Sequence, residues 1–199
     1  MKPILFSTSM VQAILDGRKT QTRRVIKAPV LRNVREPDEV LFDGKICKFN
    51  WHGDDVIGGF EIKPKYQPGD ILWVRETWAE VSSGIIEYKA TYKEPYTGSA
   101  EIDHIGNKIK WRPSIHMPRE AARIFLKVTN VRVERLQEIT AHDAIREGME
   151  SEIPFDTVDE FKELWNNLNA KRGYGWDTNP WVWVVEFEQR GSTVEGKRG

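Results

Sequence analysis

Between Asp16 and Arg24 the chain reads DGRKTQTRR, placing four cations and two threonines directly around and behind a glycine. Cations gathered at one mouth draw in an anionic or electron-rich ligand. Arginine stays charged and forks onto phosphate or carboxylate, whereas lysine changes protonation state readily once buried. If the chain becomes a strand past Gly17, Thr20, Thr22 and Arg24 fall on one face. That alternation predicts Arg24 in a cleft beside Thr22, with Arg23 pointing away and dispensable. A second chemical group follows in PGDILWVRETW, where Arg75 and Glu76 arrive at the end of an apolar strand and Trp78 lies just beyond. Glu76 can serve as a site carboxylate or as the salt-bridge partner of Arg75 or Arg24. Trp78 can stack on a planar base or fill a core. Taken singly, each feature is also what a solvated helix-to-strand connection or an ordinary core supplies.

The elements that must position these residues follow from periodicity. STSMVQAILDG offers Ser and Thr caps, then Met10, Val11, Ile14 and Leu15 at helical spacing, then Gly17 as a stop. Pro68-Gly69-Asp70 is a turn ahead of the strand Ile71 to Val74. IIEYKATYK alternates with Ile86, Tyr88, Ala90 and Tyr92 on one side, the pattern of a half-buried strand. ARIFLKVTNVRVERL alternates through Ile124, Leu126 and Val128, then changes parity to Val131 and Val133, which predicts a bulge near Thr129 and Asn130. Thr140 caps a short helix with Ala144 and Ile145 inward and Gly148 as its stop. Thr157 and Glu160 form a capping-box pattern ahead of Val158, Phe161, Leu164, Trp165 and Leu168, in a helix that ends at Lys171, Arg172 and Gly173. PWVWVVEFE is the closing strand, with Trp181, Trp183, Val185 and Phe187 on one face. Residues 28–65 and 95–118 read as irregular excursions with short strands at most, the first a mobile flap, and 191–199 as a disordered tail.

Composition bounds the possibilities. At 199 residues with formal net charge +0, the chain has the size of one domain over 1–190 and no broad nucleic-acid-like basicity. The single cysteine, Cys47, excludes an intramolecular disulfide and a multi-thiolate metal site, which fits a reducing interior. His52, His104, His116 and His142 show no metal-ligand spacing, so no metal and no cofactor are expected. The apolar run at the N-terminus is too short for a signal peptide and no stretch reaches membrane-spanning length, so the expectation is a soluble, cytoplasmic protein with no membrane partner. Helix, strands, two helices and a final strand give an α+β class with a curved, mostly antiparallel sheet.

Taken together and in order, GRKTQTRR, PGDILWVRETW and LQEITAHDAIREGM resemble the ASCH domain of the PUA-like superfamily. Gly17, Lys19, Thr22 and Arg24 match its glycine-x-lysine-x-x-(glutamate or threonine)-x-arginine signature. The resemblance implies a small β-barrel flanked by helices, with a cleft suited to RNA or a modified nucleoside. Small bacterial members are N4-acetylcytidine amidohydrolases, and their catalytic lysine, threonine and glutamate fall on Lys19, Thr22 and Glu147. Threonine at position 22, where many members carry glutamate, leans towards that hydrolytic subset. Arg24, Glu76 and Trp78 are the substrate-binding candidates. The chemistry asks that a base activate the threonine hydroxyl, and lysine is a base only if burial or a nearby cation lowers its pKa. Arg18, Arg23 and Arg24 would act in that direction and Glu147 against it. The competing readings are a non-catalytic RNA-binding module and a ribonuclease that uses the same cleft.

Overall fold

A computed structural model describes residues 1–27, 36–52, 58–81, 84–93, 102, 106–150 and 157–190. The tail 191–199 and parts of both excursions lie outside the described residues. In chain order the main elements are β1 (Lys2–Leu5), α1 (Thr8–Leu15), β2 (Gln21–Val25), β3 (Glu39–Phe42), β4 (Cys47–Trp51), β5 (Gly58–Ile62), β6 (Ile71–Arg75), β7 (Trp78–Glu80), β8 (Ile86–Tyr88), β9 (Phe125–Arg135), α2 (Ala141–Arg146), α3 (Thr157–Asn169) and β10 (Trp181–Gln189). The fold is α+β, built on a five-stranded sheet in the order β1-β6-β9-β10-β2, with a three-stranded sheet β3-β4-β5 and the pair β7-β8. The chain divides into two compact units, one of Met1–Arg18, Ile71–Lys127 and Gln189–Gly199, the other of Lys19–Asp70 and Val128–Glu188.

In the first unit, α1 begins where the Ser7 hydroxyl accepts from the Met10 amide at 3.4 Å, and it buries Val11, Ala13 and Ile14. It stops before Gly17, whose φ of +76° is a left-handed conformation that a side chain would strain. β6 pairs in parallel with β1 and antiparallel with the first residues of β9, which places Leu72, Val74 and Leu126 fully inside. The β1–β6 ladder is parallel in a sheet whose β6–β9 and β10–β2 ladders are antiparallel, as a mostly antiparallel sheet allows. IIEYKATYK departs from its expected course: β8 ends at Tyr88, and Thr91 donates back to the Tyr88 carbonyl in a turn. Its partner β7 has only three residues, and Trp78 also bridges to Arg112, so alternation beyond Tyr88 has no strand to pair with.

In the second unit the final strand β10 pairs antiparallel with β2, from Val182↔Val25 to Glu186↔Gln21. Val182, Val184 and Val185 are fully buried with Trp183 and Phe187, so both faces of the strand are covered rather than one. The described part of 28–65 is a packed sheet: Cys47 and Phe49 on β4 are fully buried, and Phe42 and Phe49 meet Trp183 and Trp181 edge-on at 5.5 and 5.6 Å. The described residues of this stretch, expected as irregular with short strands at most, instead carry their own apolar alternation and pack on the tryptophan face of β10. On β9, Val128 and Val131 are buried while Thr129 and Asn130 are both exposed, the predicted change of parity. Leu168 and Ile145 are exposed, at 54% and 40%, instead of facing inward. In α3 the apolar stripe narrows to Phe161 and Trp165 once Trp165 Nε1 donates to the Tyr174 carbonyl at 2.7 Å.

Candidate functional site

The second unit opens at Lys19. Its backbone neighbour Thr20 donates to the Arg146 carbonyl at 2.9 Å, and the Thr20 carbonyl accepts from Phe187 at 2.8 Å, so the strand that becomes β2 enters between the end of α2 and β10. α2 is fixed by a reciprocal cap: the Thr140 hydroxyl accepts from the Asp143 amide at 3.1 Å, and the Asp143 carboxylate accepts from the Thr140 amide at 3.4 Å. Glu147 closes the helix and Gly148, at φ +99°, turns the chain away. Glu147 is thereby placed where Lys19 can reach it across 128 residues of sequence.

Lys19 Nζ donates to the Glu147 Oε2 at 3.0 Å and to the Glu147 backbone carbonyl at 2.5 Å. Both residues are almost completely buried, at 4% and 3% exposure. Burial pulls the Lys19 pKa below its usual value of 10.5; Glu147 opposes this, and the charges of Arg24 and Arg23 add to it. The net direction is downward, towards a neutral amine. Arg24, half-buried on β2, has its own pKa lowered by burial against the charges of Tyr66 and Glu147.

Arg23 reverses its expected role. Its side chain is fully buried and donates to Glu147 Oε1 at 3.3 Å, Glu134 Oε2 at 2.9 Å and Asp143 Oδ2 at 3.3 Å. Gln21, two residues earlier, donates from Nε2 to the Asp143 carbonyl at 3.0 Å. The strand alternation holds, with Gln21 and Arg23 on one face and Thr22 and Arg24 on the other, but the face opposite Thr22 is occupied by a helix rather than by water. The network continues through Arg132, which pairs with Glu134, Glu186 and Asp143, and Arg146, which pairs with Glu186 at 3.3 Å. The Asp143 carboxyl is pushed up by burial, yet Arg23 and hydrogen bonds from Thr140 and Gln21 outweigh this and hold it below the usual carboxylate range. Two atoms of this face, Gln21 Oε1 and Arg23 Nε, are buried with no hydrogen-bond partner. Arg23, Glu134 and Asp143 were missed from sequence because nothing short-range links them; the Thr140–Asp143 cap was the one available signal.

Of the sequence-derived set, Lys19, Thr22, Arg24 and Glu147 belong to this unit, and Lys19 meets Glu147 directly. Thr22 lies within β2 opposite Val185, 4% exposed. Glu76 and Trp78 belong to the first unit. There the fully buried Glu76 accepts from Arg123 through both oxygens, from Nε at 3.0 Å and from Nη2 at 2.9 Å. Its partner is Arg123, not Arg75 or Arg24, and Arg123 lies 3.9 Å above the Tyr88 ring. Trp78 packs on Met117 and Ala121. Among the described residues no cluster of three or more His, Cys, Asp or Glu could hold a metal ion. No described helix is long and apolar enough to cross a membrane.

No family model matches the chain, and no curated protein matches it. A search of solved structures finds a likeness to protein EF3133 from Enterococcus faecalis V583, described with the family model DUF984, at 10% identity and a TM-score of 0.42 over 95% of this chain and 80% of that one.

Proposed function

We propose that this chain is an ASCH-type hydrolase of the PUA-like class, acting on the acyl amide of a modified nucleoside such as an N4-acylated cytidine. The observation that carries the reading is the buried Lys19 with its lowered pKa, held against the Glu147 carboxylate at 3.0 Å. Burial and the charges of two nearby arginines move the Lys19 amine in the direction that a proton acceptor needs. In the proposed sequence the Lys19 amine removes the Thr22 hydroxyl proton, and the oxygen attacks the acyl carbonyl. Arg24 stabilises the charge that develops on the carbonyl oxygen. Collapse breaks the amide C–N bond, and the departing cytosine amine takes the proton back from Lys19. Water then attacks the acyl-threonine ester as Lys19 takes its proton; the ester C–O bond breaks, Lys19 returns the proton to the departing Thr22 oxygen, and the acid is released. Glu147 holds the amine in place throughout, and Arg23 holds Glu147.

The test is incubation of the full chain with N4-acetylcytidine, reading cytidine and acetate by mass. Lys19→Ala and Thr22→Ala should each remove at least 99% of turnover, since a positioned base contributes roughly 100-fold or more. Thr22→Ser should retain activity. Wild-type protein that turns over no acylated cytidine, or a Thr22→Ala variant as active as wild type, overturns the proposal.

A further inference from the structure

The neutral whole conceals two oppositely charged halves. The first unit carries 14 Lys and Arg against nine Asp and Glu, a net of +5; the second carries 16 against 21, a net of −5. Within the first unit the cations concentrate in Asn107–Arg123, whose Lys108, Lys110, Arg112, Arg119 and Arg123 face a single acid, Glu120. We propose that the extended segment Asn107–Arg112 is a docking strip for the sugar-phosphate backbone of a single-stranded nucleic acid. This goes beyond the hydrolase reading and does not depend on it.

The segment is held extended at both ends. Lys108 bridges to Ile102, and Arg112 bridges to Trp78, with the Arg112 amide donating to the Trp78 carbonyl at 2.7 Å and the Trp78 amide donating back at 3.3 Å. Extended backbone puts alternate side chains on one face about 7 Å apart. Lys108, Lys110 and Arg112 accordingly stand exposed in file while Ile109 is buried beneath them. That repeat is close to the separation of neighbouring phosphates along a single strand. The Arg112 guanidinium is loosely engaged: it lies 4.9 Å from the centre of the Trp78 ring and 3.9 Å from Glu80, with both charged side chains about half exposed, a geometry worth little energetically. It can turn to a phosphate at small cost. Trp111 stands half-buried on the same side as Ile109, edge-on to Tyr92 at 5.5 Å and 5.1 Å from Lys89 Nζ, which anchors the segment and keeps the three cations on its outer face.

The experiment is fluorescence anisotropy of a labelled 12-nucleotide oligouridylate against the full chain between 50 and 200 mM KCl. Each phosphate contact contributes about 0.7 to the slope of log affinity on log salt for a single strand. Lys108→Gln, Lys110→Gln and Arg112→Gln combined should reduce that slope by about 2, so that over the fourfold salt range wild type loses about 20-fold more affinity than the variant. The single changes Lys108→Gln and Lys110→Gln, on exposed side chains, should each remove about 0.7 and serve if the triple variant misfolds. Lys48→Gln, on an exposed side chain of β4 paired with Glu61, should leave the slope intact. Absence of oligouridylate binding by wild type overturns the proposal, as does an unchanged slope in the single Lys variants. Duplex RNA binding as tightly as the single strand overturns the assignment to single strands.

Discussion

Replacing Arg23 by methionine separates a buried ionic anchor from a surface cation. Its guanidinium is fully buried and touches Glu134, Asp143 and Glu147. Breaking a buried ion pair by removing one partner costs about 3–5 kcal/mol, because the remaining charge stays desolvated. Here the remaining carboxylates keep other cations: Glu147 keeps Lys19, while Glu134 and Asp143 keep Arg132. The substitution also deletes the buried Arg23 Nε that has no acceptor, which returns about 1 kcal/mol. Methionine fills much of the same space, so the cavity cost is small. The balance is a loss of about 3 kcal/mol, or about 6–12 °C in Tm for a chain of this size. Urea unfolding followed by tryptophan fluorescence measures it, with Arg24→Gln as the half-buried comparison. A double-mutant cycle with Glu147→Gln should return a coupling of about 1–3 kcal/mol. A loss below about 1 kcal/mol for Arg23→Met would refute the argument, since it would place Arg23 in water as strand alternation alone suggests.

The Lys19 pKa is depressed in the folded chain, so between that value and 10.5 the unfolded state binds a proton that the native state does not, and stability should rise with pH through that window. Urea midpoints from pH 7 to 10.5 should show this rise in wild type and a flatter profile in Lys19→Met. Asp143 works in the opposite range: its depressed pKa gives stability that is present above about pH 4 and lost as pH falls through the folded value, and Asp143→Asn should flatten the acid limb of the same measurement. The Cys47 thiol, buried in β4 and pushed up to about 12, should resist a disulfide reagent at pH 8 and react only as urea opens the fold. Gly148→Ala forces a side chain to φ +99° at the end of α2 and should cost about 1–2 kcal/mol in the urea midpoint.

The elements that frame the site were legible where one local signal decided them. The Ser7 and Thr140 caps, the glycines at 17 and 148 and the alternation through β6, β9 and β10 each rest on contacts within a few residues. The partner of a buried charge is not such a signal. Alternation correctly divided Thr22 and Arg24 from Arg23, yet it says nothing of what covers either face, and the acidic end of α2 covers the side that was taken for solvent. Glu76 shows the same limit: its sequence neighbour Arg75 instead donates to the carbonyls of Ile115 and Met117, leaving the carboxylate to Arg123, 47 residues away. Length misleads similarly for 28–65, where short strands that look incidental in sequence gain their stability from packing Phe42 and Phe49 on tryptophans of β10.

Net charge is the quantity that sequence composition renders least faithfully here. A total of +0 argues against a nucleic-acid surface only if the charges are mixed, because counterion release depends on the phosphates met locally and not on the sum over the chain. The fold sorts them. In the second unit Lys19, Arg23, Arg132 and Arg146 are matched by Glu134, Asp143, Glu147 and Glu186, cations and carboxylates that neutralise one another inside the molecule. In the first unit the internal pair Arg123–Glu76 takes up one cation, while Lys108, Lys110 and Arg112 remain exposed. A cation that has exchanged water for a buried carboxylate exerts little field outside, whereas an exposed one acts over a Debye length of about 8–10 Å at physiological salt. Charge reversal therefore has unequal effects in the two places: Lys110→Glu should change salt-dependent binding and leave stability nearly untouched, and Arg132→Glu should lower stability and leave binding nearly untouched. Anisotropy and urea unfolding on the same two proteins decide it, and a Lys110→Glu variant that loses stability but binds oligouridylate as wild type would refute the division of labour.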